Sequence, residues 1–340
     1  MIPVHLGQLS PWAAHLCLRV ETFLRSQAGE AVQGKPLVLA LSGGLDSTAM
    51  LVILGLVAKR LDVTLSAVHL DHGLRPESGQ DALAVQALCE AVNVPCRIQA
   101  RDVAALAGLW ATGIEDAGRR ARYALLEEAR QAAGAGAVVT AHQLDELAED
   151  VLMRLTRGAG WPALGGMRAW DAQRAVLRPL LLTPKVHLRR LLEECAIPWR
   201  EDPSNAEPAY FRNRVRGAML PLFLRENPDF LHTVAELWRQ ARTDEKHWDD
   251  KVLAITRGLD QGDVRNFLPN AVLRAASPAL RLRLYKRYVE QLGPGQPLAD
   301  ALHGLDEAWQ EGRLGKRFQF PGGKEAEVAS GGVAFRPGPR

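Results

Sequence analysis

Cysteine is scarce in this 340-residue chain, and the four present (Cys17, Cys89, Cys96 and Cys195) form no C-x-x-C pair. A disulfide framework and a zinc ribbon are therefore not indicated. No apolar run is long enough to span a bilayer. The opening, MIPVHLGQLSPWAAHL, has neither a basic n-region nor an unbroken apolar core, so a cytoplasmic protein is expected. G-x-x-x-x-G-K-[ST] is missing, as is a G-x-G-x-x-G behind a strand, which removes two common nucleotide-binding loops. No internal repeat or low-complexity segment occurs. Charge is nearly balanced, with 42 Lys and Arg against 39 Asp and Glu, and this balance selects no function class. The basic residues are overwhelmingly Arg, however, which suits bidentate phosphate contacts better than Lys. With 47% hydrophobic and 24% charged residues, the chain reads as soluble, globular and long enough for two domains.

What is present centres on residues 37–54, LVLALSGGLDSTAMLVIL. An apolar strand stops at Ser42-Gly43-Gly44-Leu45-Asp46-Ser47, and helix-forming residues follow. Strand, glycine turn and helix together aim successive backbone N–H groups at one anion. Paired glycines let backbone approach a ligand closely. Ser42 and Ser47 add hydroxyl donors, and Asp46 can hold a divalent cation beside phosphate oxygens. The plainer alternative is an ordinary βα turn capped by Asp46 or Ser47.

Periodicity predicts a helix over 10–27, with Ser10 as N-cap and Pro11 at its first position. Strands are expected at 37–41, 63–70, 96–100 and 137–141, alternating with helices that end near 60, 92, 133 and 156. The implied fold class is α/β: a doubly wound, mostly parallel sheet with helices on both faces. Ligands in such sheets bind beyond the carboxyl ends of the strands. SGGLDS (42–47), HLDHGLR (69–75) and AHQLDE (141–146) each follow a strand, so all three can face one crevice. Past Arg157 the chain turns Gly-rich, then basic over 200–216. Beyond Pro221 it becomes helical, with two short β runs in the tail that suggest a small hairpin. A boundary near 220 would separate a catalytic domain, 1–220, from a mainly helical domain, 221–340.

His69 and His72 sit in a loop suited to contacting a nucleotide; the metal-pair alternative lacks a third ligand at a familiar spacing. Asp145 and Glu149 share a helix face, with His142 one turn earlier. Such carboxylates can bind Mg²⁺ or take a proton from an attacking amine, or simply favour a helix N-terminus. Glu115, Arg119, Arg122 and Tyr123 line another face, which can equally be a solvated salt-bridged surface. Arg200, Arg212, Arg214 and Arg216, with Tyr210 and Phe211 interleaved, fit a nucleic-acid surface or a loop packed on the other domain.

SGGLDS resembles the PP-loop of the ATP pyrophosphatases. With VHLDHGLRPES (68–78), E-x-x-x-R-x-x-R-Y (115–123), AHQLDE, LMRLTRGAG (152–160), LRPLL (177–181), WREDPSN (199–205), YFRNRVR (210–216) and the GKRFQFPGG tail, the chain resembles the tRNA(Ile)-lysidine synthases. The likeness is strongest over about 37–225. It implies an adenine nucleotide alpha hydrolase-like fold and ATP with Mg²⁺ as cofactors. The substrates it implies are free L-lysine and a CAU-anticodon tRNA(Ile). The wobble cytidine would be adenylated at its C2 oxygen with loss of diphosphate, then attacked by lysine with loss of AMP. Asp46, Arg119, His142, Asp145 and Glu149 become candidate catalytic residues. Ser42, Gly43, Gly44, Leu45, Asp46, Ser47, His69 and His72 would bind the nucleotide, with Asp46 holding Mg²⁺. Arg157, Arg200, Asn205, Arg212, Asn213, Arg214 and Arg216 would contact tRNA, and a homodimer is admitted as the assembly. The family pattern A-H-H-x-D-D-Q-x-E-T is kept at His142, Asp145 and Glu149, whereas Glu146 and Asp150 replace Asp and Thr. The rival readings are a PP-loop tRNA thiolase and a non-catalytic tRNA-binding protein.

Overall fold

The structure, a computed structural model, describes residues 2–71, 78–200, 211–259 and 266–338. The chain forms two compact units, Met1–Ala159 with Gly165–Trp238, and Gly160–Leu164 with Arg239–Arg340.

The first unit opens with α1 (Pro11–Ala28), where the Ser10 hydroxyl accepts the Ala13 N–H at 3.2 Å and Pro11 occupies the first turn. This is the start that the Ser-Pro pair predicts. Strand β1 (Leu37–Leu41) leads through the glycine turn into α2 (Leu45–Leu61). Leu45, Met50, Leu51, Ile53, Leu54 and Val57 are all buried along α2, because it packs against α1, β1 and a later helix. A helix apolar on every side is an interior helix. Then come β2 (Leu65–Asp71), α3 (Ser78–Ala91), β3 (Cys96–Ala100), α4 (Val103–Trp110) and α5 (Ile114–Ala132). Helix α4 lies outside the elements that periodicity predicts; left-handed Ala111 ends it (φ 50°), and α5 restarts behind Gly113. Strand β4 (Ala137–Val139), α6 (Leu144–Thr156), β5 (Trp170–Asp171), β6 (Val176–Leu177) and α7 (Lys185–Glu194) complete the αβ layers.

The sheet order is β3-β2-β1-β4-β6-β5, parallel throughout except for β5, which runs antiparallel to β6. The chain steps outward from β1 to β3, then returns to the other side of β1 for β4. The order therefore reverses between β1 and β4, and a crevice opens there at the carboxyl ends of both strands.

The expected boundary near 220 needs correction. After α8 (Phe211–Arg214), a π-helical turn (Val215–Met219) and α9 (Leu220–Glu226) comes α10 (Phe230–Leu259). Val215, Leu220, Val234, Ala235 and Trp238 share one core with Leu144, Leu147 and Val151 of α6. The first unit therefore extends to Trp238, inside α10.

The second unit contains β7 (Phe267–Pro269), α11 (Asn270–Ala275), α12 (Pro278–Gln291), α13 (Ala299–Gln310), β8 (Arg317–Phe320), β9 (Lys324–Ala329) and β10 (Gly332–Pro337). It is mainly helical, but its tail is more than a hairpin. The four strands form an antiparallel sheet in the order β7-β10-β9-β8, because β7 adds to β10 from outside the glycine-punctuated tail. Leu284, Tyr285, Tyr288, Leu305, Val333 and Phe335 fill its core. There Arg281 grips Asp306 through two hydrogen bonds of 2.7 and 2.9 Å, both side chains being buried.

Candidate active site

Beyond β1 the chain turns at Gly43, whose φ of 81° is one that side-chain-bearing residues seldom adopt. A Cβ there would come within 3.0 Å of Val85. Ser47 fixes the turn from inside. Its hydroxyl accepts the Ser42 N–H at 3.2 Å and donates to the Gly44 carbonyl at 3.1 Å. The Ser42 and Ser47 hydroxyls also lie 3.1 Å apart, and the Gly44 N–H donates to the Ser42 oxygen at 3.3 Å. Gly44 caps α2 without any side-chain bond of its own, so α2 begins with N–H groups free to meet an anion. On the outer side, the Arg200 N–H donates to the Gly43 carbonyl at 2.9 Å, and Arg200 pairs with Gly44 as a parallel bridge.

Asp46, in the first turn of α2, is partly buried, and its Oδ1 is enclosed without a hydrogen-bond partner. Burial pushes its carboxyl up to about 6, with Lys185 and Arg216 pulling it down and Glu146 and Asp145 adding to the rise. An enclosed carboxylate oxygen without a hydrogen-bond partner has a lone pair that a divalent cation can satisfy, although no cluster of three or more potential ligands forms among the described residues. The residues present thus fit the divalent cation inferred from the sequence.

Across the switch point lies α6. Gln143 is its N-cap, the side-chain oxygen accepting the Asp145 N–H at 2.6 Å. Asp145 Oδ2 accepts the Lys185 N–H at 2.9 Å, and Leu144 donates to the Thr183 carbonyl at 3.0 Å. Two bonds therefore staple the start of α6 to the start of α7. Burial raises the Asp145 carboxyl, opposed by that Lys185 N–H. Glu149 is only 2% exposed and accepts from Arg216 Nε at 2.7 Å and Arg212 Nε at 2.9 Å. Arg212 reaches Glu146 as well, at 3.1 Å. His142 pairs with the Thr140 hydroxyl at 2.8 Å. Burial drives its imidazole down to about 3, helped by the charges of Arg178, Arg212, Arg119 and Arg122. It is a neutral ring at physiological pH.

The structure gathers Asp46, His142, Asp145 and Glu149 around one crevice, with Arg119 within electrostatic reach of His142. Arg119 itself is exposed, its guanidinium 5.8 Å from the Tyr123 ring. His69 is 5% exposed, its Nδ1 placed 3.0 Å from the Leu41 carbonyl, where it fixes β2 to the end of β1. His72, Asn205 and Tyr210 lie outside the described residues. Arg212 and Arg216 turn inward onto α6 instead of lying on an open surface. Arg157 and Arg214 are exposed, and both approach the Phe211 ring, at 5.8 and 5.7 Å. Arg200 is exposed, 3.4 Å from Asp81.

Comparison with known proteins agrees with this geometry. Residues 16–223 match the family model of the PP-loop domain. A tRNA(Ile)-lysidine synthase from Nitratidesulfovibrio vulgaris is 44% identical over 328 residues, covering 92% of this chain and 94% of that protein. The chain belongs to the tRNA(Ile)-lysidine synthase family. The family member from Thermus thermophilus is 37% identical over 308 residues, and there the match spans 90% of this chain but 57% of the relative. Among solved structures, a U34-tRNA thiolase from Methanococcus maripaludis superposes with a TM-score of 0.53 at 16% identity. That match covers 66% of this chain and 80% of the thiolase, and it is a likeness of fold alone.

The cysteines of this lysidine synthase family member are placed away from the crevice. Cys17 lies in α1, Cys89 in α3, Cys96 at the amino end of β3 and Cys195 behind the last turn of α7. Two site residues escaped the sequence reading. Arg178, only 7% exposed, donates to the Arg168 carbonyl at 2.8 Å and stands near His142. LRPLL contains it, but nothing in that string distinguishes a buried guanidinium from a surface one. Lys185 carries no motif signal at all.

Proposed function

We propose that this protein ligates free L-lysine to C2 of the wobble cytidine of a CAU-anticodon tRNA(Ile). The observation that carries the reading is the SGGLDS turn and α6 following adjacent strands at the switch point, with an unsatisfied Asp46 oxygen in the first turn of α2 acted on by the α6 carboxylates. In the first step the cytidine O2 attacks the α-phosphorus of ATP, the bond to the β,γ-diphosphate breaks, and an O2-adenylated base forms. The N–H groups at the start of α2 stabilise the negative charge gathering on the departing diphosphate. Asp46 would hold Mg²⁺, which supplies charge neutralisation on the phosphate oxygens. In the second step the lysine ε-amine attacks C2, loses a proton, and expels AMP.

Asp145 is the better candidate for receiving that proton. Its carboxyl is raised by burial, so it competes for a proton more strongly than an exposed aspartate would. Glu149 has both oxygens engaged by Arg212 and Arg216, which suits a brace better than a base. Arg157, Arg200, Asn205, Asn213 and Arg214 are proposed to meet tRNA, with Arg212 and Arg216 supporting them from behind, and the second unit is proposed to extend that contact. Cytoplasmic location and a homodimer complete the proposal. No helix among the described residues is long and apolar enough to cross a membrane.

The test is mass spectrometry of a CAU-anticodon tRNA(Ile) transcript incubated with protein, ATP, Mg²⁺ and labelled lysine. Label is expected on the wobble cytidine. Asp145→Asn is expected to form the adenylate at a normal rate and to transfer lysine about 10²- to 10⁴-fold more slowly. Normal transfer by this variant would refute the base assignment. Diphosphate release without any lysine incorporation would refute the ligase reading.

A further inference from the structure

Asp46, Asp145, Glu146 and Glu149 share the crevice with Lys185, Arg212 and Arg216, and Arg178, Arg119 and Arg122 act on His142 beside them. Arg212 and Arg216 are already committed, both to Glu146 and Glu149. Lys185 differs. Its backbone N–H is tied to Asp145 at 2.9 Å, which fixes its Cα on the α6 side of the crevice. Its side chain is half-buried, and among the described residues its ammonium forms no ion pair or hydrogen bond. Its charge acts on both Asp46 and Asp145, so from its anchor on Asp145 it lies within electrostatic reach of the first turn of α2. An accessible ammonium with no protein partner, held at the edge of a nucleotide crevice, is open to an anionic ligand.

We propose that Lys185 is the phosphate-binding cation that meets the α-phosphate of ATP. The assignment rests on the adenylation reading above. The glycine turn offers its N–H groups on the β1 side, where the departing diphosphate would lie. The acceptor chemistry lies on the α6 side with Asp145. The α-phosphorus must sit between the two, since its bonds to diphosphate and to the cytidine oxygen exchange there. Lys185, anchored at Asp145 and within electrostatic reach of Asp46, is the cation available there. An ammonium at this place binds the α-phosphate oxygens in the ground state and holds them more strongly as the phosphorus becomes five-coordinate.

Titration calorimetry of Lys185→Met and Lys185→Arg with AMP and, separately, with inorganic diphosphate tests the assignment. AMP carries the α-phosphate alone, and diphosphate carries only the leaving group. Lys185→Met is expected to weaken AMP binding about 10- to 100-fold, the worth of a charge-assisted hydrogen bond. Diphosphate affinity is expected to change by less than about twofold. Single-turnover diphosphate release with tRNA is expected to fall about 10²- to 10³-fold, and Lys185→Arg is expected to recover part of both losses. Unchanged AMP affinity together with an unchanged release rate would overturn the proposal. A loss confined to diphosphate would overturn it equally, by moving Lys185 to the leaving group. Should Lys185→Met melt early, Lys185→Gln serves in its place, read against the same two ligands. A wild-type protein that binds AMP but releases no diphosphate with tRNA would count against the adenylation reading, and the AMP comparison would still decide the role of Lys185.

Discussion

Asp46 shows how a site residue charges the fold for its function. Its carboxyl titrates near 6 in the folded chain against 3.8 for an unburied aspartate, burial being the chief cause. Between those values the folded protein holds a proton that the unfolded chain has released, so stability falls as pH rises through the window and then levels off. Asp46→Asn removes the ionisation cost. In the ligand-free protein it is expected to stabilise by about 2 kcal/mol near pH 7.5, a figure discounted for partial exposure, and to lose that advantage below about pH 4. Thermal melts at the two pH values check this, and a variant no more stable than wild type at the higher pH would refute it. At this scale the sequence was legible wherever a residue belongs to a local pattern. Asp46, His142, Asp145 and Glu149 were readable because each follows a strand within a few positions. The engagement of Glu149 by Arg212 and Arg216 was not, since those partners lie 63 and 67 residues away and only the tertiary fold brings them together. Lys185 and Arg178 were silent for the same reason.

The glycine turn and the helix behind it behave as one element. Gly43 is left-handed and close against Val85, whereas Gly44, with φ of −76°, has ordinary geometry and its nearest obstacle, the Ser42 hydroxyl, at 3.4 Å. Gly43→Ala is accordingly expected to cost about 1–2 kcal/mol and to weaken diphosphate binding at least about tenfold, by turning backbone N–H groups away from the anion. Gly44→Ala is expected to change stability by less than about 0.5 kcal/mol. Denaturant unfolding of both variants, with diphosphate titration, checks the contrast; equal losses would refute it. Elements with strong periodicity, β1 and α2 above all, were plain in the sequence. Helix α4 was hidden because its start, Asp102 accepting the Ala105 N–H at 2.9 Å, follows a strand without a glycine or proline break. Strand β7 has only three residues and is recruited by β10, so no local alternation announces it.

Over the whole molecule a formal charge of +3 is too small to hold a polyanion by itself, so placement decides. Arg157, Arg200 and Arg214 are exposed in the first unit, while Arg212 and Arg216 face inward. Replacing Arg214 by Ala is expected to lower the slope of log affinity for tRNA against log salt by about 0.7–0.9, the share of one released counterion. Arg212→Ala is expected to leave that slope within about 0.3 while destabilising the fold, since it strips a buried carboxylate of a partner. Filter binding across a salt series checks both, and equal slope changes would refute the division. The overall class was legible because alternating strands and helices leave few topologies. The extent of the first unit was not, because the helices after residue 220 give no sign in sequence that their apolar faces belong to α6. The backbone bond from Arg200 to Gly43 has a wider consequence. It ties the phosphate turn to Arg200, which is proposed to meet tRNA, so a ligand that holds one of the two also holds the other in place. ATP is then expected to bind tighter to the tRNA-loaded protein by the same factor that tRNA gains from ATP, so that one peptide hydrogen bond makes the two substrates recruit each other.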